Sequence, residues 1–534
     1  FFQLLPSCLT WTRENTNMLT SKTFVKKTKK GSVIQVVREH YLRDDVWCGV
    51  QGCTACSQDD PPLPNAPLMD SDLCPYPHYL VPDTNIFLHE IDFLEDPTIR
   101  NVIVLQIVLD EVKHRNLSVY QRLRDVIADK TKRFYVFANE HRRETYVQRD
   151  ECETPQDRND RATRVAADWY NLHLAQTLRC GSGEIPRAIL LSNDKDNVSR
   201  AKLLGIEAFS ALQYARSLVA NPSLVDRLSH PAQSTPDDPA FDSKLAPYPE
   251  HVALSAIQGG LKSGKYLQGV FQGSGENYLE GYVNTSSLDK WVLVQGLKNI
   301  NRAIHEDIVA VELFPESEWR CPSRLVTKDA DDAKKTAAKD GEESEEEVEE
   351  TDKKLLATPV DPSLIQPTGR IVGVIKRNWR PYCGTLLPRP GGMKGIRHTF
   401  VPAERKVPRV LVETRQAENL LGKRIVVSID AWPRTSRFPR GHFVKELGAI
   451  GDKATENEVL LLEHDIPHYA FPQAVLADLP ATPWSISEGE RERRADLRHL
   501  DICSVDPPGC TDIDDALHCR PLEEWQPGGR RTHR

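Results

Sequence analysis

Short apolar runs that stop on acidic residues mark the first half of the chain. Tyr79-Leu80-Val81-Pro82 runs into Asp83, the stretch 102–109 into Glu111, and Ile189-Leu190-Leu191 into Ser192-Asn193-Asp194. Runs this short, bounded by polar turn residues, predict strands at 79–82, 102–108, 133–138 and 187–192. Apolar positions at helical spacing predict helices at about 119–129, 157–178, 196–204 and 211–219, and a helix-like stretch at 33–42. Strand alternating with helix implies a mostly parallel sheet covered on both faces. From residue 264 short alternating strands with Gly and Asn turns take over, at 264–271, 278–283, 291–294 and 308–313, then at 369–379, 400–402, 410–413, 424–429 and 442–443. Each run has a Gly-rich first strand and a late Ile-Val-Ala-Val or Val-Val-Ser-Ile strand, which predicts a duplicated OB-like barrel.

Chemistry enters through the acids. Asp83 and Asp194 end strands, Glu111 follows an apolar run, and Asp160 opens the helix 157–178. In an open α/β sheet the C-terminal strand edge is where ligands collect. Four carboxylates in one crevice repel and require compensating cations. Hard divalent ions with oxygen ligands, Mg²⁺ or Mn²⁺, supply that compensation. Two of them together activate a water and stabilise the leaving oxygen of a phosphodiester. Arg161, Arg164 and Lys195 lie beside the acids, placed to hold phosphates or to pair with the carboxylates. The alternative is that the four acids are unrelated helix caps and turn residues.

A length of 534 residues allows three to five domains, and 39% hydrophobic with 27% charged residues describes a globular chain. No apolar run is long enough to span a membrane as a helix. Residues 1–17 read as a non-native extension ahead of Met18. The net charge of −8 speaks against a nucleic-acid partner only until one tract is set aside, because seven of the nine residues 342–350 are Glu. Such a block reads as a solvated, disordered linker, assigned to 328–356. The 12 scattered Cys suit a reducing compartment.

Cys48, Cys53 and Cys56, spaced C-x4-C-x2-C, suggest a tetrahedral zinc site completed from elsewhere, or else buried thiols. The candidate fourth ligand is His173. It lies about 20 Å and roughly 220° along its helix from Asp160, so it faces away from the acids. In the second barrel run Lys376, Arg377, Trp379, Arg380, Arg434 and Arg437 interleave cations with aromatics, a composition suited to single-stranded RNA. Finally, Asp506-Pro507-Pro508-Gly509-Cys510-Thr511-Asp512-Ile513-Asp514-Asp515 packs four acids around a tight turn.

Residues 75–222 resemble a PIN domain, a metal-dependent nuclease fold, with Asp83, Glu111, Asp160 and Asp194 on its acidic positions. The string from Asp506 resembles the signature of RNase II/RNase R-type exoribonucleases. That resemblance implies metal ligation by Asp506, Asp512 and Asp515, and makes Asp514 the acid that hydrolysis requires. The order PIN, two cold-shock barrels, then this signature is similar to the catalytic ribonucleases of the eukaryotic RNA exosome. The similarity implies endonuclease and 3′→5′ exonuclease activity, exosome core subunits as partners, a nuclear and also cytoplasmic location, and pairing of the Cys triad with the helix of His173. The expected layout is 18–74 arm, Cys motif and linker; 75–222 PIN; 223–327 first barrel; 328–356 linker; 357–470 second barrel; and 471–534 the start of an α+β exonuclease domain. Because that domain is incomplete here, the expectation is endonuclease activity at most. The alternative is a non-catalytic RNA-binding and docking fragment.

Overall fold

The computed structural model describes residues 17–27, 33–56, 60–67, 71–178, 184–219, 221–229, 248–323, 364–388, 395–468, 471, 473–480, 482–513 and 515–518. The chain forms two compact units, 1–466 and 467–534. Its first described elements, β1 (Asn17–Lys27) and β2 (Val33–Leu42), pair antiparallel. The stretch expected to be helix-like is therefore a strand. Its ladder with β1 and its valines and isoleucine favour that state.

The α/β layer follows. Its strands are β3 (His78–Pro82), β4 (Val102–Leu105), β5 (Phe134–Phe137), β6 (Arg187–Leu191) and β7 (Ala208–Phe209). All pair parallel, in the order β5-β4-β3-β6-β7. The chain builds outward from β3 to one side and then returns to β6 on the other, so the switch point falls between β3 and β6. β3 and β4 are buried at every position, which is why they read as unbroken apolar runs. The connecting helices are α1 (Thr84–His89), α2 (Ile91–Leu94), α3 (Gln106–Arg115), α4 (Leu117–Ala128), α5 (Pro155–Thr177), α6 (Lys195–Leu203) and α7 (Ala211–Ser217). The run expected to be a strand to 108 turns helical at Gln106. A fully apolar run has no period to reveal where extension gives way to helix.

The first β-module consists of β8 (Leu267–Gly273), β9 (Glu280–Thr285), β10 (Val292–Gln295), β11 (Ile308–Leu313) and β12 (Gly369–Lys376), in the order β10-β9-β8-β11-β12. This corrects the expected layout. β12 was expected to open the second barrel, but it pairs with β11, Leu313 opposite Gly369. The acidic tract thus interrupts a pair of bonded strands in one module and does not separate two modules, and the boundaries at 327 and 357 cut a single sheet. Gly369 is required there, since a Cβ would come within 2.5 Å of the Glu312 carbonyl oxygen. The tract itself lies outside the described residues.

The second barrel is closed, β13 (Tyr382–Leu386), β14 (Arg397–Pro402), β15 (Val410–Glu413), β16 (Lys423–Ala431) and β17 (Arg440–Ala449) joining in the order β13-β14-β15-β17-β16. Phe400, Val410, Val412, Ile425 and Val427 fill it.

A buried ionic chain ties this barrel to the α/β layer. His442 donates from Nδ1 to Asp430 at 2.7 Å and from Nε2 to Asp92 of α2 at 3.1 Å. Asp92 also receives Arg122 of α4 at 2.7 Å, and Arg122 reaches Glu95 at 2.7 Å. Nearby, Asp226 accepts from Thr414 Oγ1 at 2.8 Å and from the Arg415 amide at 3.1 Å.

In the smaller unit an antiparallel bridge between Cys503 and Leu517 closes the acidic loop. Asp506, Asp512 and Asp515 are exposed on it. Asp514 lies outside the described residues.

Burial alone would lower the His442 pKa, but the two flanking carboxylates raise it to about 10 from 6.5. A cation with a raised folded-state pKa stabilises fully below about pH 6.5 and loses that contribution as pH climbs through 10. His442→Ala should cost about 3 kcal/mol at neutral pH. Calorimetry should also show the parent converging on this variant above pH 10; a pH-independent gap would refute the ionic assignment.

Candidate active site and metal centre

Two strand ends deliver the first two acids. Asp83 follows β3 and caps α1, accepting from the Ile86 amide at 2.9 Å, and its other oxygen accepts the hydroxyl of Ser192. Asp194 follows β6 and caps α6, accepting from the Asp196 amide at 2.8 Å. Because β3 and β6 are neighbours across the switch point, both caps face the same crevice. Capping is therefore also a positioning device here, aiming both carboxylates into that crevice. Asp160 sits near the start of α5. Glu111 lies on α3, where Thr84 Oγ1 donates at 2.8 Å, Asn159 Nδ2 at 2.9 Å, and Arg115 pairs at 2.6 Å.

The four share one electrostatic field. Burial, then the charge of Asp194, pushes the Asp83 carboxyl up to about 6. Asp160 rises to about 7 through burial, Asp83, Asp194 and Glu111, with Arg164 opposing. Carboxylates this reluctant to ionise mark a locus that favours a multivalent cation. They do not form a closed shell: among the described residues no three of these acids bring their oxygens within 4.8 Å of one another. Asp83, Asp194 and Glu111 are each held instead by their own hydrogen bonds. An open cleft of about 660 Å³ beside Glu111 is lined by His114, Arg115, Gln156 and Asn159.

Of the neighbouring cations, Arg164 donates to Asn197 at 2.5 Å and faces Asp160. Arg161 pairs with Glu153 at 2.6 Å, which satisfies it away from the acids, and Lys195 is exposed. Thr84, Asn159 and Ser192 were not singled out from the sequence. The only signal for them was adjacency to the acids in Asp83-Thr84-Asn85, Asn159-Asp160 and Ser192-Asn193-Asp194.

The other end of α5 bears a second cluster. His173 Nε2 lies 3.2 Å from Cys53 Sγ and 3.5 Å from Cys56 Sγ. Together with Cys48 these donors lie within 4.8 Å of one another, the one such His/Cys/Asp/Glu group among the described residues. The His173 ring stacks on Trp169, centroids 4.5 Å apart. A hydrogen bond from Cys48 pulls the Cys56 thiol down to about 3 and raises Cys48. Three sulfurs and one imidazole nitrogen, with a thiolate already favoured, could hold a metal ion.

The RNA-contact candidates divide. Lys376 is exposed. Arg377 pairs with buried Asp307 at 2.7 Å and lies over Trp379, and Arg380 pairs with Glu463 at 2.9 Å. Arg434 donates to the Tyr248 carbonyl at 3.1 Å, and Arg437 to the Tyr278 hydroxyl at 3.0 Å. Four arginines expected to face RNA thus hold internal partners.

Comparison with known proteins agrees with this layout. A PIN domain matches residues 80–212, an Rrp44-like cold shock domain 246–377, and a Dis3-like cold-shock domain 2 397–465. The chain is 53% identical over 514 residues to "Exosome complex exonuclease RRP44" of Homo sapiens, covering 95% of this chain and 52% of that protein. It is 41% identical over 517 residues to the RRP44 homolog A of Arabidopsis thaliana, covering 95% of this chain and 53% of that one. The chain therefore spans about half the length of these curated relatives. The solved PIN domain of T. brucei RRP44 is 30% identical, covers 34% of this chain and 95% of its own, and superposes with a TM-score of 0.29.

Crowding the acids has a stability signature. A carboxyl whose folded-state pKa lies near 7 binds its proton more tightly folded than unfolded, so the fold loses stability as pH rises from about 4 to 7. Without divalent ions, Asp160→Asn should melt about 2–4 °C above the parent at pH 7.5 and together with it at pH 4. Equal melting at both pH values would show that Asp160 is not repelled.

Proposed function

We propose that this homologue of the exosome RRP44 exonucleases is a metal-dependent endoribonuclease that cuts single-stranded RNA. The observation that carries the reading is the shared field of Asp83, Glu111, Asp160 and Asp194 at the C-terminal edge of the parallel sheet. These four would hold Mg²⁺ or Mn²⁺, and such ions, when bound, supply Lewis acidity and lower the pKa of an attacking water. The chain's own residues set the geometry. Ser192 fixes the buried Asp83 carboxylate, and Thr84 and Asn159 fix one oxygen of Glu111. Arg164 offsets the charge of Asp160 and stands where a phosphate in transit would gain from a cation. Cys48, Cys53, Cys56 and His173 would hold structural Zn²⁺. Asp506, Asp512, Asp514 and Asp515 would serve a 3′→5′ exonuclease activity, the relatives being named exonucleases. Lys376, Arg377, Trp379, Arg380, Arg434 and Arg437 would contribute to RNA binding, and the exosome core would be the protein partner, in the nucleus and cytoplasm.

A second reading, a non-catalytic RNA-binding and docking module, draws support from one observation. The four acids stand too far apart for any three to share a single coordination sphere. The two readings separate on a circular single-stranded RNA incubated with Mn²⁺. Nicking should occur and fall at least about 100-fold in Asp83→Asn and in Asp160→Asn. Cutting that persists in both variants would move the chemistry elsewhere, and no cutting by the parent would favour the second reading. For the cysteine cluster, elemental analysis should find about one zinc per chain, lost in Cys53→Ser/Cys56→Ser. A zinc-free parent would remove that assignment.

A further inference from the structure

Both ends of α1 carry an acid, and only the first belongs to the crevice. The Asp83 carboxylate accepts the Ile86 amide at 2.9 Å, and at the other end the Glu90 amide donates to the Ile86 carbonyl at 2.8 Å. Glu90 is also the residue before α2, where an acid would gain from the unpaired amides of the first turn. Its side chain makes no such cap. It turns instead to residues 103 and 139 positions away: Oε1 accepts from Asn193 Nδ2 at 3.0 Å and from the Ser229 hydroxyl at 2.9 Å, and Oε2 accepts from the Ser229 amide at 2.8 Å. Glu90 is only 2% exposed.

Asn193 stands between Ser192, which donates to Asp83, and Asp194. Both ends of its amide are engaged, Nδ2 by Glu90 and Oδ1 by the Ala211 amide at 3.1 Å, where α7 begins. The segment that delivers Asp194 is thereby tied to both ends of α1, to Asp83 through Ser192 and to Glu90 through Asn193. Ser229, the other partner of Glu90, follows the turn Pro222–Arg227, whose Asp226 is bonded to Thr414 and Arg415 of the second barrel. A buried carboxylate costs free energy to desolvate, and packing α1 by itself requires none. What this one does is join the far end of α1 to the residue next to Asp194.

We propose that Glu90 is a positioning residue of the nuclease site: through Asn193 it holds Asp194 in place against Asp83, so that both carboxylates offer oxygens to the same divalent cations. The consequence for metal binding rests on the proposed function, whereas the positioning itself rests on hydrogen-bond geometry alone. Glu90 touches neither ion nor substrate and acts only through its neighbour. Partners of this kind set how well the ligands fit an ion, and their loss weakens metal binding about 10–100-fold. Glu90→Gln keeps one oxygen to accept from Asn193 and the Ser229 hydroxyl, while Glu90→Ala releases both.

The test is a melting cycle on the full chain at pH 7.5 without divalent ions, followed by calorimetric titration with Mn²⁺. Asp194→Asn keeps a capping side chain on α6 and removes a charge that Asp83 and Asp160 feel. It should raise the melting temperature by about 2–4 °C. On top of Glu90→Ala the same change should raise it by less than half as much, and on top of Glu90→Gln by as much as in the parent. Equal gains in the parent and in Glu90→Ala would overturn the proposal, and so would Glu90→Gln behaving like Glu90→Ala. In the titration Glu90→Ala should bind Mn²⁺ about tenfold more weakly than the parent, and Glu90→Gln within about threefold of it. Glu95→Gln loosens the neighbouring pair with Arg122 and leaves Asn193 untouched, so it should melt lower yet bind Mn²⁺ like the parent. A matching loss of Mn²⁺ in Glu95→Gln would reduce the effect to general instability and refute the positioning role. Should Glu90→Ala fail to melt cooperatively, Asn193→Ala, at an exposed residue, decides by the same readings. Coupling in the melting cycle with a parent that binds no Mn²⁺ would refute the nuclease reading and leave this one standing.

Discussion

Like charge confined at one edge of a parallel sheet is the constraint around which the α/β layer is built. Asp83 is almost fully buried at the end of a strand that is itself fully buried, and its charge is felt directly by Asp160 and shared with Asp194. The apolar strands β3, β4 and β6 provide the burial free energy that holds this arrangement together, at about 25 cal/mol per Å² of apolar surface removed from water. Hydrogen bonds from Ser192, and from Thr84 and Asn159, then fix the Asp83 and Glu111 carboxylates where they are. Stability is surrendered at the sheet edge and recovered in the sheet interior, the pattern expected where strain serves chemistry.

α5 couples this locus to the cysteine cluster. Asp160 near its start faces the acids, and His173 near its end faces three sulfurs. One rigid helix therefore places a hard oxygen ligand and a borderline nitrogen ligand on different sides of the domain. Softness keeps the two apart chemically, since carboxylate oxygens suit Mg²⁺ or Mn²⁺ while thiolates with an imidazole suit zinc. Any change in the tilt of α5 moves both donors at once.

Much of this was legible in the sequence because it depends on local pattern. Strands ending just before Asp83 and Asp194, the helix that carries Asp160 and the rotation that turns His173 away all follow from periods of two and 3.6 residues. That helix begins at Pro155 and is capped by Thr154, however, and is not opened by Asp160. What was not legible depends on pairing partners. Nothing local distinguishes Gly369–Lys376 as the last strand of one sheet from the first strand of the next, and the long excursion from Leu313 to Gly369 suggested a domain boundary. The strand at 33–42 was missed because its charged and apolar residues also fit a helix. The arginines of the second barrel were recognised as basic, but their carbonyl partners come from distant segments such as Tyr248 and Pro249. Composition counts charges without showing which are already paired.

The two junctions of the second barrel make that last point quantitative in sign. Against the α/β layer, the cations His442 and Arg122 meet the acids Asp92, Asp430 and Glu95 within 3.1 Å, while buried Asp226 and Glu90 are held by hydroxyl and amide donors. Against the first module, Arg302, Arg377 and Arg434 meet one buried and one solvated acid, and two buried donors stay unpaired. Both junctions bury charge, with more acids than cations at the first and more cations than acids at the second. Desolvation costs several kcal/mol per ion unless it is compensated. A fold needing only to glue two barrels together would therefore do better with apolar contacts at the second junction than with crowded guanidinium groups.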